Sequence, residues 1–539
     1  MDRPTPRRAR ALVLTVAVIA LLLPTMPSTA QNDGNLLVGA AKISIEPRPD
    51  DYGGVWETEG CATLGDDALA GVEHVPDFRF SWNENSNCIY MGGYGIGPMN
   101  PITSWDTEYG LWVRTLAMSN GEQIVVLSVI DGAYYIGDLN NMCETCGALV
   151  LAETLAEEHD GLAPEGFLLQ ATHSHTSPDF IGAWGGIPNW YFQQVEDAIR
   201  GSVADAIEGL RPAEIEFGEQ LARPFNRERR NYYRSAESET LAWLRAKDVA
   251  SGETIATLGN YAGHPTSMDE STGMAHADWP GAFEKRVEER FGGVGLLFNS
   301  GIGNMSFSGS LEGGVGLADA IPDPGVSPRF ASASIGAARD QWTQPWTNAG
   351  LGVLAEAQFF DRPLEEGLFE SFVQKHDEAR PCVSVSTIGV ATQVSAFHVG
   401  PLVFTAGPGE LFSNITNTFR EKSPGAVTFT NSIANDGLGY LIQSFEFDRG
   451  AQQGVGFAGT DLFEYEDAYG LDPCFGDEVV ERTLALMAGF EVDPAPARPA
   501  PGTGGVGGEG TKPTPVTGGG VAVLVLATAA LFAMGRAKR

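Results

Sequence analysis

Apolar runs along this chain are short, and most of them stop at a polar, glycine-bearing turn. Leu36–Ile45 and Gln123–Ile130 have the aliphatic and β-branched density of strands, and Gly295–Phe298, Cys382–Val390 and Pro401–Thr405 repeat it. Between them, Asn141–Glu158, Trp190–Gly209 and Gly281–Arg290 space their apolar residues as helices with one buried face do. This alternation predicts an α/β fold of mixed β-sheets flanked by helices. No linker-like stretch divides residues 31–490, so one large domain is expected there.

The chemistry is concentrated just past the buried-looking strands. Phe167–Thr172 leads into His173-Ser174-His175-Thr176, and Ile255–Tyr261 into Gly263-His264-Pro265-Thr266. Leu296–Phe298 leads into Asn299-Ser300-Gly301-Ile302-Gly303-Asn304-Met305-Ser306, and Leu402–Thr405 into Gly407-Pro408-Gly409-Glu410. In α/β sheets, ligands collect outside the strand ends, where a rigid scaffold holds the loops. Four such ends predict one shared site.

The chain has only eight histidines. His173 and His175 are two apart, so on an extended backbone their rings project to the same side. With His264 and Glu410 they would form a nitrogen and oxygen set that leaves room for water, the usual arrangement at catalytic zinc. Spacing alone leaves a plainer reading open, in which these groups are simply satisfied inside a large fold. Ser306 comes after Gly301 and Gly303, which let the backbone approach a ligand closely. Its turn is not a Gly-x-Ser-x-Gly elbow, and an ordinary loop serine fits it as well.

The two ends change the picture of where such a site works. Residues 1–30 hold Arg3, Arg7, Arg8 and Arg10, an apolar run from Ala11 to Leu23, and Ser28-Thr29-Ala30, the layout of a secretory signal. Residues 491–520 are rich in Pro, Gly and Thr and read as a stalk. Residues 518–535 are uncharged and apolar, and a basic tail occupies 536–539. That segment is long enough for a membrane anchor. Thr514-Pro515-Val516-Thr517-Gly518 before it also resembles a cell-wall sorting signal, with Thr514 in the leucine position. Either attachment places the body outside the cell. A formal net charge of −35 argues against nucleic acid as a partner. Six cysteines in an exported chain predict disulfides, with sequential pairing (Cys61 with Cys88, Cys143 with Cys146, Cys382 with Cys474) as the expectation.

Taken in order, the segments resemble the catalytic domain of the neutral/alkaline, non-lysosomal ceramidases. Leu37-Val38-Gly39-Ala40-Ala41-Lys42-Ile43-Ser44, Met91-Gly92-Gly93-Tyr94-Gly95 and Leu111–Ala117 resemble that family's early stretches. Thr172-His173-Ser174-His175, Gly263-His264-Pro265-Thr266, Ala275–Gly281 and Pro408-Gly409-Glu410 resemble its later motifs, in the same order. The resemblance implies zinc held by His173, His264, Glu410 and Tyr440, with Ser306 as the catalytic serine, His175 beside the metal and Arg227 lining the site. It implies hydrolysis of a lipid-like N-acyl amide, with zinc polarising the carbonyl and His175 helping to protonate the amine. Phe307-Ser308 stand where the family has Pro-Asn, and its C-terminal immunoglobulin-like domain has no counterpart here. The same residues admit two other readings: a zinc hydrolase of another lipid amide or ester, and a surface binding protein whose site has decayed.

Overall fold

Side chains alternate across a strand, and that alternation builds the layers of this molecule. The computed structural model describes residues 36–61, 63, 87–94, 100–135, 137, 147–182, 184–230, 237–345, 389–446, 466, 470, 472 and 474–497. First come β1 (Leu37–Ser44), β2 (Ser104–Trp105), β3 (Trp112–Ser119), β4 (Ile124–Ile130), α1 (Ala148–Glu158), β5 (Leu162–Ala171), α2 (Asn189–Glu208) and β6 (Arg211–Leu221). Next are β7 (Asn226–Glu228), β8 (Thr240–Asp248), β9 (Thr254–Tyr261), β10 (Met274–Ala275), α3 (Asp278–Phe291), β11 (Val294–Asn299), β12 (Met305–Phe307), α4 (Ser310–Asp319) and β13 (Arg329–Phe330). Last are β14 (Ile335–Pro345), β15 (Gly389–Val399), β16 (Leu402–Ala406), β17 (Glu410–Leu411), α5 (Ser413–Lys422), β18 (Val427–Asn431), β19 (Tyr440–Leu441) and α6 (Phe475–Ala488).

A nine-stranded sheet runs β11-β9-β8-β6-β1-β3-β4-β5, with β13 against β6. Its outermost pairs, β11 with β9 and β4 with β5, are parallel. A four-stranded sheet, β14-β15-β16-β18, has one parallel pair, β16 with β18. Along β4, Val125, Leu127 and Val129 join Phe397, Phe404 and Phe429 of the smaller sheet in one core. Val126 and Ile130, on the opposite face, pack with α1 and α2 through Leu151, Leu155, Val195 and Ile199. The smaller sheet alternates likewise, its outward Val394, Ala396 and Val403 lying under α5 and α6. The order of layers is therefore helix, sheet, sheet, helix, and each fully buried aliphatic or aromatic side chain in it contributes ~2 kcal/mol.

The expected α/β fold of mixed sheets flanked by helices is present as one domain. Trp190–Gly209 and Gly281–Arg290 are helical, with ends moved by one to three residues. Of the expected helix Asn141–Glu158, the part from Ala148 is present and residues 141–146 lie outside the described residues. The folded body also continues past the expected start of the stalk. Phe490 and Val492 pack on the core, and Asp493 accepts hydrogen bonds from the Ser334 backbone (2.9 Å) and hydroxyl (2.7 Å). Cys61 and Cys88 form a disulfide, as expected. Cys474 is also disulfide-bonded, whereas Cys143, Cys146 and Cys382 lie outside the described residues, as do the expected leader (residues 1–30) and the apolar segment 518–535. Among the described residues, no helix is long and apolar enough to cross a membrane.

Candidate metal centre

Three parallel strand pairs deliver their C-terminal ends to one place. After β4 and β5, the His173 N–H donates to the Gly132 carbonyl (2.8 Å) and the Thr172 N–H to that of Ile130 (2.9 Å). After β9 and β11, the His264 N–H donates to the Met305 carbonyl (2.9 Å). After β16 and β18, Glu410 and Tyr440 face each other in the parallel pair of β17 with β19, and the Glu410 N–H donates to Gly439 (2.8 Å).

Buried amides lock these ends together. Gln170 accepts from the Asn299 N–H (2.7 Å) and donates to the Asn299 carbonyl (2.8 Å) and to that of Ser432. Asn260 donates to the carbonyls of Phe298 (3.1 Å) and Thr430 (3.0 Å), tying the two sheets. Asn435 accepts from the Leu169 N–H (2.8 Å).

At the convergence, the ligand atoms of His173, His175 and His264 all lie within 4.8 Å of one another. His173 Nε2 is 3.7 Å from Glu410 Oε1 and 3.2 Å from His175 Nε2. His264 Nε2 is 3.2 Å from Glu410 Oε2. His173 Nδ1 meets the Ala133 carbonyl (2.7 Å) and His264 Nδ1 that of Ile302 (2.8 Å). A carbonyl can only accept, so in both rings the proton sits on Nδ1 and Nε2 turns a bare lone pair inward. His264 Nε2 and Glu410 Oε2 are buried and have no hydrogen-bond partner among the described residues.

Burial sets the protonation of the group. It lowers the pKa of His173 against the opposing pull of Glu410, lowers that of His264 to about 4 and holds that of His175 well below its ordinary value. Burial alone would raise the Glu410 pKa, but the facing His173 and His264 and the Tyr134 hydroxyl outweigh it and hold the carboxyl at about 2. Neutral imidazoles beside an ionised carboxylate are the forms that bind a metal.

The expectation of an extended His-x-His needs correction. His173 has φ 62°, a left-handed conformation rare outside glycine. The two rings still converge, with centroids 4.8 Å apart, because the chain turns at His173 instead of running straight through it. Such strain persists only where the surroundings over-determine it. Gly93 leaves space for the second ring: at its φ of 106°, a Cβ would lie 2.4 Å from His175.

The other expected residues lie around this centre. The Tyr440 ring stacks on that of His264 at 6.5 Å, and its hydroxyl accepts from Arg229 (3.1 Å). Ser306 is bridged to His264 on one side and paired with Arg227 on the other. Directly paired residues point to one face, so Ser306 and Arg227 share a face with His264. Arg227 itself is exposed, and the arginine that reaches Tyr440 is Arg229, two residues on. Tyr134 went unnoticed in the sequence although it donates to Glu410 Oε1, sets its ring edge-on to His173 (4.7 Å) and stacks on Trp184 (5.9 Å). Its one signal was its place, just past the apolar run of β4.

The fold and this centre together define a class: a layered α/β protein with three imidazoles and a carboxylate gathered at strand ends, able to hold a metal ion. Among solved structures, the chain is similar to the neutral ceramidase from Pseudomonas aeruginosa, with a TM-score of 0.57 and 16% identity over 87% of this chain and 77% of that one. It is also similar to a structure described as ceramidase complexed with C2, with a TM-score of 0.56 and 15% identity over 87% of this chain and 77% of that one. At such identity the likeness is one of fold. No protein-family model and no curated protein matches the chain.

Proposed function

We propose that this protein is a zinc-dependent hydrolase of N-acyl amides, ceramidase-like in cleaving an N-acylsphingosine to a sphingoid base and a fatty acid. One observation carries the reading: the buried His264 Nε2 and Glu410 Oε2, without a hydrogen-bond partner among the described residues, lie 3.2 Å apart. Two buried acceptors that close are costly unless they share a cation. His173, His264 and Glu410 would hold the ion, with Tyr440 as fourth ligand, and a nitrogen and oxygen set of this kind suits zinc. When bound, the ion supplies Lewis acidity, polarising an amide carbonyl and acidifying water.

The chain's own residues do the rest. Ser306, partly exposed beside His264, would act at the carbonyl carbon. His175, kept neutral by burial, can take a proton and pass it to the departing amine. Arg227, on the face of Ser306, would line the substrate cleft. In this reading residues 1–30 export the body, and the stalk and apolar segment beyond the folded body hold it to the membrane or the cell wall.

Elemental analysis of the purified protein, paired with assays on N-acyl sphingoid, N-acyl amino acid and ester substrates, tests the proposal. One zinc per chain, lost when His173→Ala and His264→Ala are combined, with N-acylsphingosine cleaved in preference, is the expected result. Preference for another amide or an ester would move the substrate within the class. No metal under any loading condition would leave only the binding protein.

A further inference from the structure

Arg229, which the sequence did not single out, joins several parts of this site. Its Nη2 donates both to the Tyr440 hydroxyl (3.1 Å) and to the Gly303 carbonyl (2.9 Å), and its Nε donates to Glu466 Oε1 (2.8 Å). Its backbone N–H donates to the Asn304 carbonyl (2.9 Å). Glu466 is almost fully buried, with 3% side-chain exposure, and Arg229 has 17%. The guanidinium also lies 5.8 Å from the centroid of the Tyr440 ring.

These contacts join the two loops on which the chemistry depends. Gly303 opens the last turn before Ser306 and is packed so tightly that a Cβ on it would lie 2.6 Å from the Glu410 carbonyl oxygen. Tyr440 sits opposite Glu410 in the parallel pair and stacks on His264. One nitrogen of a planar, rigid fork thus sets the phenolic oxygen and the serine turn against each other, while a buried carboxylate fixes the fork through its Nε.

We propose that Arg229, anchored by Glu466, is the positioning residue that holds the Tyr440 hydroxyl in reach of the metal and fixes the turn carrying Ser306. The inference rests on the reading of Tyr440 as a metal ligand. A lysine in place of Arg229 keeps the charge but has no fork, so it cannot hold both oxygens and Glu466 at once.

The test uses the full chain loaded with copper(II), whose bond to a tyrosine oxygen produces a visible charge-transfer absorption. Competitive chelator titration gives metal affinity, and circular dichroism confirms folding. The unaltered protein should show the band, and Tyr440→Phe should lack it. Arg229→Met and Arg229→Lys should both weaken the band and lower metal affinity about 10- to 100-fold, as loss of a group orienting a ligand does. Glu466→Gln, which removes the charge that anchors the fork at Nε, should weaken both less, and it decides the matter if the arginine variants fail to fold. Unaltered band and affinity in the Arg229 variants, or in Glu466→Gln when it alone folds, would overturn the role of Arg229 while leaving Tyr440 a ligand. A band missing from the unaltered protein, or kept by Tyr440→Phe, would instead remove the ligand and the inference with it.

Discussion

Tyr134 reaches Glu410 from a turn that carries no recognisable motif, and its importance comes entirely from what it touches. Its hydroxyl donates to Oε1 and leaves Oε2 for the centre. Orienting partners of this kind typically change metal affinity by ~10-fold or more when removed. Tyr134→Phe should therefore weaken zinc binding by about that factor with little loss of stability, as read by chelator competition; unchanged affinity would reduce Tyr134 to a packing residue. His398 poses a separate question of protonation. It is 5% exposed on β15, lies near Asp493 with its ring tilted against that of Phe490 (5.2 Å), and burial lowers its pKa. The unfolded chain then binds more protons than the native one between that lowered pKa and about 6.5, so stability rises with pH across this window and is lost on acidification. The urea midpoint of His398→Leu should fall less than that of the unaltered protein between pH 7 and pH 5. Parallel falls would show that His398 titrates alike in the folded and the unfolded chain.

Strands and helices were legible where one face is buried, because burial writes a period into the sequence. β4, β9 and β11 and the helices α2 and α3 lie within a few residues of where that period placed them. Pairing was not legible. Nothing local says that β5 lies beside β4 at one edge of the large sheet while β9 and β11 lie at the other. The amides that bind these edges to the smaller sheet are single polar residues inside apolar runs, and alone they look like interruptions. Gln170 is fully buried and bonds to backbone groups of Asn299 and Ser432. Gln170→Ala would strand those groups without water, at a cost of ~3 kcal/mol. Urea unfolding should show that loss, and metal affinity should fall with it because the ends of β5 and β11 would no longer be held in register. A destabilised protein with unaltered affinity would separate the girder from the site.

At the scale of the whole molecule, a metal held where three strand pairs meet would bind the native state in preference to the unfolded chain. Such a ligand stabilises by mass action, by about 2.7 kcal/mol when free zinc is 100 times its dissociation constant. Thermal unfolding of the protein should therefore move upward with zinc and return with a chelator, and His264→Ala should respond to neither. A zinc response equal in His264→Ala would place the ion elsewhere. The identity of the candidate ligands could be read along the chain, because histidine, glutamate and serine beside glycines stand out where apolar runs stop. The α/β class could be read too, since alternation and helical spacing are local properties. What only the folded molecule decided was which of these groups meet: the left-handed turn at His173, the entry of Tyr134, and the contact of Arg229 with Tyr440. Contacts across hundreds of residues depend on sheet order and strand register, and those are settled by burying two faces at once, which no single stretch of sequence encodes.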